Sequence, residues 1–436
     1  MTLLDAVSAT APDTHASGRP TNRPCPACRG SRADLVHELA LQAPDGHPLG
    51  DGYDVVACRS CGTGFADVAA SLDFYDSYYA ESAKYAHEAD LESPPADPDA
   101  TSNNRVQVAE SEHTAARLDA VAERIITFLP HTGARVLDVG CATGTLLAAL
   151  RRRGVADVVG LDPSTDSRDI AAAVHGVRVE VGTLSAMPDD LGLFDCITMI
   201  GVLEHLWDVD EALRIVTDHL RPDGILYVDV PDASSYLDPY IAPYQDFGIE
   251  HVNHFSAQSM RILARRHGFE TEGLVRWQPE LVPGHPCSAI ATAWRRTSDP
   301  QLLPQDDTQL RETLCAFAAR SAADFAEIDA RLEEELADDE EFAVWGAGEF
   351  TMKLLALPAL QRRRLTEVVD ANGARCGLRF GGRTVNSPAS LTGSTAPVVV
   401  GSLLSGNAIR RAVEAMGCRA VTCSAGSRRI GAGTLP

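Results

Sequence analysis

Two pairs of cysteines near the start of the chain have the spacing of a metal site. Two residues separate Cys25 from Cys28, and the same spacing separates Cys58 from Cys61. Four thiolates in such pairs suit the tetrahedral coordination of zinc, and a site with four sulfur ligands leaves no open position for water. We therefore predict a structural Zn²⁺ that folds a small domain, with coincidental free thiols as the alternative.

A carboxylate and two imidazoles are grouped further along the chain. Glu250, His251 and His254 fall within five residues, together with Asn253. A histidine with a pKa near neutrality can remove a proton from a substrate. A lone histidine at such a place is more often structural, but this group favours catalysis. We therefore predict that Glu250, His251 and His254 act as catalytic residues.

A glycine turn and a later aspartate predict a nucleotide-type cofactor. Gly140 and Gly144 follow a predicted strand at 136–139 and precede a predicted helix at 146–153. Glycine allows a ligand to approach the backbone closely and tolerates positive φ. Asp162 ends the next predicted strand, where a carboxylate can accept hydrogen bonds from both ribose hydroxyls. The alternative is an ordinary turn in a domain that binds no nucleotide.

Alternating helices and apolar strands are typical of a parallel α/β sheet. A second, smaller unit of the same type follows a charged stretch, with a strand at 342–345, the turn Gly346 to Gly348, a helix at 350–357 and strands at 368–369 and 397–400. In the first unit the predicted strands are 136–139, 158–161, 177–181, 196–200, 225–230, 271–275 and 288–293, and the predicted helices are 146–153 and 209–220.

These patterns divide the chain of 436 residues into several predicted units. A disordered tail is expected at 1–22, a linker at 76–108 and a helical connector at 296–340. The predicted folded units are a zinc-binding domain at 23–75, an α/β domain at 109–295 and a smaller Rossmann-like α/β domain at 341–436.

The first α/β unit resembles the class I S-adenosylmethionine-dependent methyltransferases. The resemblance rests on Asp138-x-Gly140-x-x-x-Gly144, on Asp162 and on the strand beginning Phe194-Asp195. It implies a Rossmann-like core in which Asp138 and Gly140 lie beside the methionine portion and Asp162 holds the ribose. The other cofactor contacts that it implies are Cys141, Thr143, Gly144, Pro163, Thr183, Leu184, Gly201 and Glu204.

Two positions in this unit depart from relatives or allow two interpretations. Many relatives carry an acid at the adenine amine, whereas this chain has Thr183 and Leu184, so we expect backbone groups there. Glu204 and His205 match a Glu-His pair found after the fourth strand in many methyltransferases. We favour a structural role for the pair over catalysis, and the neighbouring residues supply no further metal ligand.

The whole chain from Cys25 onward resembles the three-domain sugar C-methyltransferases, which act on nucleotide-linked 4-keto-deoxysugars. In that family a Tyr-x-Glu-His motif lies against the reacting carbon, and Glu250 and His251 match its last two members. The resemblance implies that a base forms an enolate, which then accepts the methyl group, in the biosynthesis of natural-product or cell-surface sugars. It also implies that the C-terminal domain binds the substrate.

Two departures leave the acceptor open. Gly248 stands where the family has its tyrosine, so Tyr244 or Tyr240 is the candidate replacement. The turn at 346–348 is not followed by the Lys-Gly-Asn stretch common in these enzymes. Methyl transfer to oxygen, nitrogen or carbon of another small metabolite is therefore the alternative, and a non-catalytic zinc- and nucleotide-binding scaffold is a lesser one.

Composition and charge limit the partners. The net charge of −23 argues against a nucleic-acid substrate, because such binding depends on clustered Lys and Arg. No apolar run approaches the roughly 18 residues of a membrane-spanning helix, and the N-terminus lacks the pattern of a secretory signal. We expect a cytoplasmic enzyme with a small-molecule substrate, of undetermined oligomeric state.

Overall fold

A computed structural model describes residues 18–69 except 46 and 48, 111–297 except 189, 190 and 283, and 307–423. The predicted linker at 76–108 and most of the predicted tail lie outside these residues. The ordered structure begins earlier than the predicted tail allowed, because Arg19 and Pro20 form a strand. That strand pairs with residues 32–33 of the second strand, so the N-terminal sheet includes part of the predicted tail.

The secondary structure elements are numbered in chain order over the described residues. The strands are β1 (Arg19–Pro20), β2 (Arg32–Ala40), β3 (Gly52–Cys58), β4 (Gly64–Ala66), β5 (Arg135–Val139), β6 (Asp157–Asp162), β7 (Arg178–Val181), β8 (Phe194–Ile200), β9 (Leu220–Pro231), β10 (Asn253–His254), β11 (Phe269–Trp277), β12 (Glu280–Val282), β13 (His285–Pro286), β14 (Ala289–Arg296), β15 (Glu341–Trp345), β16 (Arg364–Val369), β17 (Arg379–Phe380), β18 (Arg383–Asn386), β19 (Val398–Val400) and β20 (Ala420–Thr422). The α-helices are α1 (Glu112–Ile126), α2 (Thr145–Arg152), α3 (Thr165–Ile170), α4 (Val209–His219), α5 (Ala257–Arg266), α6 (Thr308–Glu335), α7 (Glu349–Leu354), α8 (Pro358–Gln361) and α9 (Gly406–Ala415).

The central domain is the predicted α/β fold. Its seven strands have the order β11-β14-β9-β8-β5-β6-β7. All neighbours from β9 to β7 pair in parallel, and only β14 runs against the others. Each predicted strand is present, and the fifth extends back to Leu220. The chain order reverses between β5 and β8, which is where ligands bind in open parallel sheets.

Helices of this domain start and pack as their sequences predict. The Asp208 carboxylate accepts a hydrogen bond from the Glu211 amide and caps α4. The apolar faces of α2 and α4 are buried against the sheet, with Leu147, Leu150 and Leu213 fully enclosed. The two layers of helices therefore cover the parallel strands and leave their carboxyl ends open.

The N-terminal sheet is completed by a distant part of the chain. Its order is β1-β2-β3-β4-β10, and the last strand is Asn253–His254, inside the predicted catalytic segment. Asn253 pairs with Phe65 and His254 pairs with Gly64. The N-terminal unit and the central domain are thus joined through the segment that carries Glu250 and His251.

The predicted connector is one helix with a buried face. In α6, the apolar side chains recur at helical spacing and share a core with the N-terminal and C-terminal domains. The buried members are Leu310, Leu314, Phe317, Phe325, Ile328 and Leu332. No helix among the described residues has the length and apolar composition needed to span a membrane.

The C-terminal domain repeats the strand-turn-helix pattern on a smaller scale. Its sheet has the order β17-β18-β16-β15-β19-β20, with β17 alone antiparallel to its neighbour. The helix predicted at 350–357 is shorter, ending at Leu354, and Pro358 begins a separate helix. Proline lacks the N–H needed inside a helix but suits its first turn.

A buried arginine joins the first two domains. Arg23 is 6% exposed. Its guanidinium donates hydrogen bonds to the Ala66 carbonyl at 2.9 Å, the Val252 carbonyl at 2.6 Å and the Asn253 side-chain oxygen at 2.8 Å. The same group lies 4.4 Å from the centre of the Trp207 ring. One cation therefore satisfies acceptors from both domains.

Replacing Arg23 with Ala leaves these buried acceptors without their donor. We expect the free energy of unfolding to fall by about 3 kcal/mol in urea denaturation. The control is Arg152→Ala, which removes a solvent-exposed ion pair with Asp119 and changes stability by less than about 0.5 kcal/mol. Equal losses in the two variants would contradict the bridging role of Arg23.

Candidate active site

The glycine turn after β5 and the turn after β8 form the floor of a cleft at the strand-order reversal. Gly140 and Gly201 have φ values of +69° and +67°, which favour glycine. A Cβ atom at Gly140 would lie 2.8 Å from the Val202 side chain. Gly140 is therefore favoured both by its backbone angle and by its close approach to Val202, whereas Gly201 is favoured by its backbone angle.

The carboxylate of Asp162 fixes the glycine turn. One oxygen accepts a hydrogen bond from the Ala142 amide at 2.9 Å, and the other accepts one from the Ser164 amide at 3.0 Å. The residue predicted to hold a ribose thus lies at the correct strand end and also positions the loop opposite.

A buried acid lies behind the turn. Asp138 is 3% exposed and accepts a hydrogen bond from the Thr198 hydroxyl at 2.6 Å. Burial raises the pKa of Asp138 to about 7, the Thr198 hydrogen bond opposes the rise, and repulsion from Asp162 adds to it. Near neutral pH the Asp138 carboxyl is therefore partly protonated, and a cation bound nearby would favour its ionised form.

The cleft and the open solvent at its mouth together occupy about 920 Å³. Of the predicted cofactor contacts, those in its wall are Gly140, Asp162, Pro163, Thr183, Leu184 and Gly201. Asp138, Cys141, Thr143, Gly144 and Glu204 are not in that wall. Cys141 is buried close to Gly160, and Gly144 lies against Val177 and Ala171, so these two residues support the turn from behind.

Several wall residues were not among the predicted cofactor contacts. They include Val202, His205, Leu206, Trp207 and Ile215. These residues follow β8, where the strand order already predicted a ligand. That position was the signal that could have identified them.

Glu204, His205 and His251 meet beside the cleft. Glu204 and His205 are 4% and 7% exposed, and His251 is partly buried. The His205 and His251 ring centres are 4.9 Å apart, and His205 Nε2 is 3.8 Å from a Glu204 oxygen. One donor atom from each residue lies within 4.8 Å of the others. The prediction favoured a structural role for Glu204 and His205 over catalysis and did not include their contact with His251.

Main-chain and amide hydrogen bonds bring these residues together. The Val252 amide donates to the Glu204 carbonyl at 2.9 Å. The Asn253 side-chain amide donates to the carbonyls of Leu203 and Leu206 at 2.9 and 2.8 Å. The short helical turn at 203–205 is therefore fastened to the segment that follows His251.

Four carboxylates control the charge of His251. Burial alone lowers the pKa of His251, but Glu204, Asp246, Glu349 and Glu250 more than compensate, so the pKa lies above its ordinary value. The same carboxylates would stabilise the imidazolium that forms when His251 accepts a proton. We interpret the cluster as a group for proton transfer.

The structure does not bring every predicted catalytic residue to the cleft. His254 is fully buried, with Nδ1 3.2 Å from the Tyr236 hydroxyl, and burial lowers its pKa to about 3. Tyr244 stacks on His37 in the core between domains, and burial raises its pKa to about 12. The hydroxyl of Tyr240 donates to Asp324. These three side chains serve packing and domain contacts, because their strand or turn directs them away from the cofactor cleft.

The four predicted metal ligands come together in the N-terminal domain. The Cys25 and Cys61 sulfurs are 3.6 Å apart, and the Cys28 and Cys58 sulfurs are 3.5 Å apart. A tetrahedral zinc with Zn–S bonds of about 2.3 Å separates its sulfurs by about 3.8 Å. The cluster is therefore compatible with Zn²⁺, and three of its four cysteines are fully buried.

Comparisons with known proteins agree with the central fold. Residues 111–273 match the family model described as a methyltransferase domain. The ubiquinone biosynthesis O-methyltransferase of Azorhizobium caulinodans is 38% identical over 104 residues, covering 23% of this chain and 41% of that protein. The enzyme of the same name from Chelativorans sp. is 35% identical over the same length and coverage. The chain thus spans about two fifths of the length of these curated relatives.

A similar solved structure is an S-adenosylmethionine dependent methyltransferase from Mesorhizobium loti. The two sequences are 22% identical, the TM-score is 0.33, and the match covers 41% of this chain and all of the other. The family match and the strand order together identify residues 111–273 as a methyltransferase domain of the class I S-adenosylmethionine-dependent type.

Proposed function

We propose that the chain is an S-adenosylmethionine-dependent methyltransferase that methylates a carbon of a nucleotide-linked keto-deoxysugar through an enolate. The observation that carries this proposal is the contact of the His251 ring with His205, which is a residue of the cleft wall. A carbon next to a ketone becomes nucleophilic only after a base removes its proton. We assign that step to His251.

The cleft residues have separable roles in this proposal. Asp162 and the Gly140 turn would hold the cofactor, with Thr183 and Leu184 against its adenine. When bound, the cofactor supplies an electrophilic methyl group on a cationic sulfur. His251 would take the proton from the acceptor carbon, and the Glu204 carboxylate would stabilise the resulting imidazolium.

The C-terminal domain supports a nucleotide-linked acceptor. Asp370 accepts hydrogen bonds from the Ala347 amide at 2.6 Å and the Asn372 amide at 2.8 Å. Asp162 makes the same pair of contacts, to the turn after the first strand and to the residue two positions ahead. We infer that the turn at 346–348 and Asp370 hold the nucleotide of the acceptor.

Methylation of another small metabolite is the second candidate. The curated relatives are named ubiquinone biosynthesis O-methyltransferases, and Gly248 supplies no phenol at the family tyrosine position. In that reaction the base would remove a hydroxyl proton instead of a carbon-bound one. The same cleft and the same histidine would serve.

The acceptor is tested by incubating the protein with methyl-¹³C cofactor and two acceptor panels. One panel holds nucleoside-diphosphate 4-keto-deoxysugars, and the other holds catechols and related phenols. We expect a carbon-bound methyl group by NMR and mass spectrometry, with His251→Ala lowering kcat by about 10²-fold. His113→Ala, at a partly exposed histidine that is not in the cleft wall, should leave kcat within about twofold. Transfer only to phenols would instead establish the second candidate.

Cofactor binding should strengthen with rising pH. Below pH 7 Asp138 is largely protonated and offers no charge to a cationic ligand, whereas above pH 7 it is ionised. We expect calorimetry to give about tenfold tighter binding of S-adenosylmethionine at pH 8 than at pH 6. The control is Asp138→Asn, in which any remaining pH dependence comes from the ligand or from other groups. The additional pH dependence seen in the wild type is then due to Asp138. The same slope in both proteins would rule out this role.

We also propose that Cys25, Cys28, Cys58 and Cys61 bind one structural zinc. Elemental analysis should find one zinc per chain in the wild type and none in Cys58→Ser, whose melting temperature should fall by roughly 10 °C. Cys315→Ser, at an exposed thiol, should keep the metal. Loss of zinc in both variants, or in neither, would contradict the assignment.

A further inference from the structure

Gly248 faces a carboxylate that belongs to the C-terminal domain. A Cβ atom built at Gly248 would overlap the Glu349 carboxylate, reaching 2.6 Å from its Oε1 atom. Gly248 is not among the glycines with positive φ. The Glu349 carboxylate therefore occupies the space that a side chain at position 248 would need, whereas the backbone angles there do not favour glycine.

The Glu349 carboxylate is held from two sides. Its Oε1 accepts a hydrogen bond from the Ile249 amide at 3.2 Å, and its Oε2 lies 3.5 Å from the Lys353 ammonium one helical turn further. Lys353 is 4% exposed and donates to the Tyr244 carbonyl at 2.6 Å. Helix α7 thus forms hydrogen bonds with both ends of the segment from Tyr244 to Ile249.

The N-terminal domain contacts the same segment. The Tyr53 hydroxyl donates to the Gly248 carbonyl at 2.6 Å, and Tyr53 is 7% exposed. Residues 244–252 lie between β9 and β10 and form no helix or strand of their own. Their conformation therefore depends on groups supplied by the other two domains.

His251 follows this braced stretch by two residues. The charged groups acting on it are Glu204, Asp246, Glu250 and Glu349, and its neighbouring imidazoles are His205 and His254. Glu349 is the member that comes from the C-terminal domain. A displacement of about 1 Å at a reacting group can cost roughly 10²-fold in rate, so the bracing contacts bear on turnover.

We propose that Glu349 is a positioning residue for His251: its carboxylate takes the place of a side chain at Gly248, binds the Ile249 amide and fixes the segment that carries the base. The inference rests on the proposed methyl transfer. It makes the C-terminal domain part of the catalytic apparatus, because correct placement of His251 requires α7 to be docked.

The test compares Gly248→Ala, Glu349→Ala and the double variant. Each single change should lower kcat by about 10-fold or more, while the Kd for S-adenosylmethionine stays within about twofold. In the double variant the space vacated by Glu349 accepts the new methyl group. Its loss of kcat should therefore be smaller than the product of the single losses.

Conservative and matched variants separate positioning from general destabilisation. Glu349→Gln keeps an oxygen acceptor for the Ile249 amide and should recover most of kcat. Glu414→Ala removes an exposed carboxylate of the same domain and should leave kcat unchanged. Multiplicative losses in the double variant, or a kcat within twofold of wild type in Glu349→Ala, would overturn the proposal.

Amide hydrogen exchange tests the contact between Glu349 and Ile249 independently of methyl transfer. The Ile249 amide should exchange at least 10-fold faster in Glu349→Ala than in wild type, whether or not any acceptor is methylated. A wild-type protein that methylates no acceptor would refute the proposed function alone. Unchanged exchange at Ile249 would refute the bracing itself.

Discussion

The candidate site depends on the hydrogen bonds made by the Asn253 side chain. Its amide nitrogen donates to the carbonyls of Leu203 and Leu206, and its oxygen accepts from Arg23. These three hydrogen bonds tie together the turn after β8, the strand that completes the N-terminal sheet and the residue that joins the two domains. Because Asn253 is buried, losing any one of them would leave an unpaired polar group in the interior. The position of His251 beside His205 follows from this arrangement.

Negative charge around the cleft has an energetic cost that a cationic ligand can offset. Burial raises the pKa of Asp138 and of Asp229 to about 7, and burial raises that of Asp246 to about 6. Repulsion from Asp162, Glu204 and Glu349 adds to the rise at Asp138, Asp229 and Asp246 respectively. Binding of a cationic sulfonium would lower this repulsion. The acidic surroundings thus favour the charged form of the cofactor over its neutral, demethylated product.

Local sequence patterns predicted the elements well and the long-range contacts poorly. The strands, the turn at Gly140 and the acid at Asp162 follow from periodicity and from residue types within a few positions of each other. The pairing of Gly248 with Glu349 joins residues about one hundred positions apart, and no local pattern encodes it. His254 was grouped with His251 by residue type alone. The strand at 253–254 instead directs its ring into the core, against Phe247 and Tyr236.

The same local hydrogen-bonding arrangement occurs in both α/β domains. In each, a carboxylate after the second strand accepts an amide from the turn after the first strand, at Ala142 in one domain and Ala347 in the other. In the central domain this arrangement shapes a cleft, whereas in the C-terminal domain the next residue after the turn is Glu349, which reaches back toward Gly248. A ligand that orders the turn at 346–348 would therefore also order the helix that braces His251. This geometry couples binding of an acceptor by the C-terminal domain to the positioning of His251. The coupling passes through a single turn of α7.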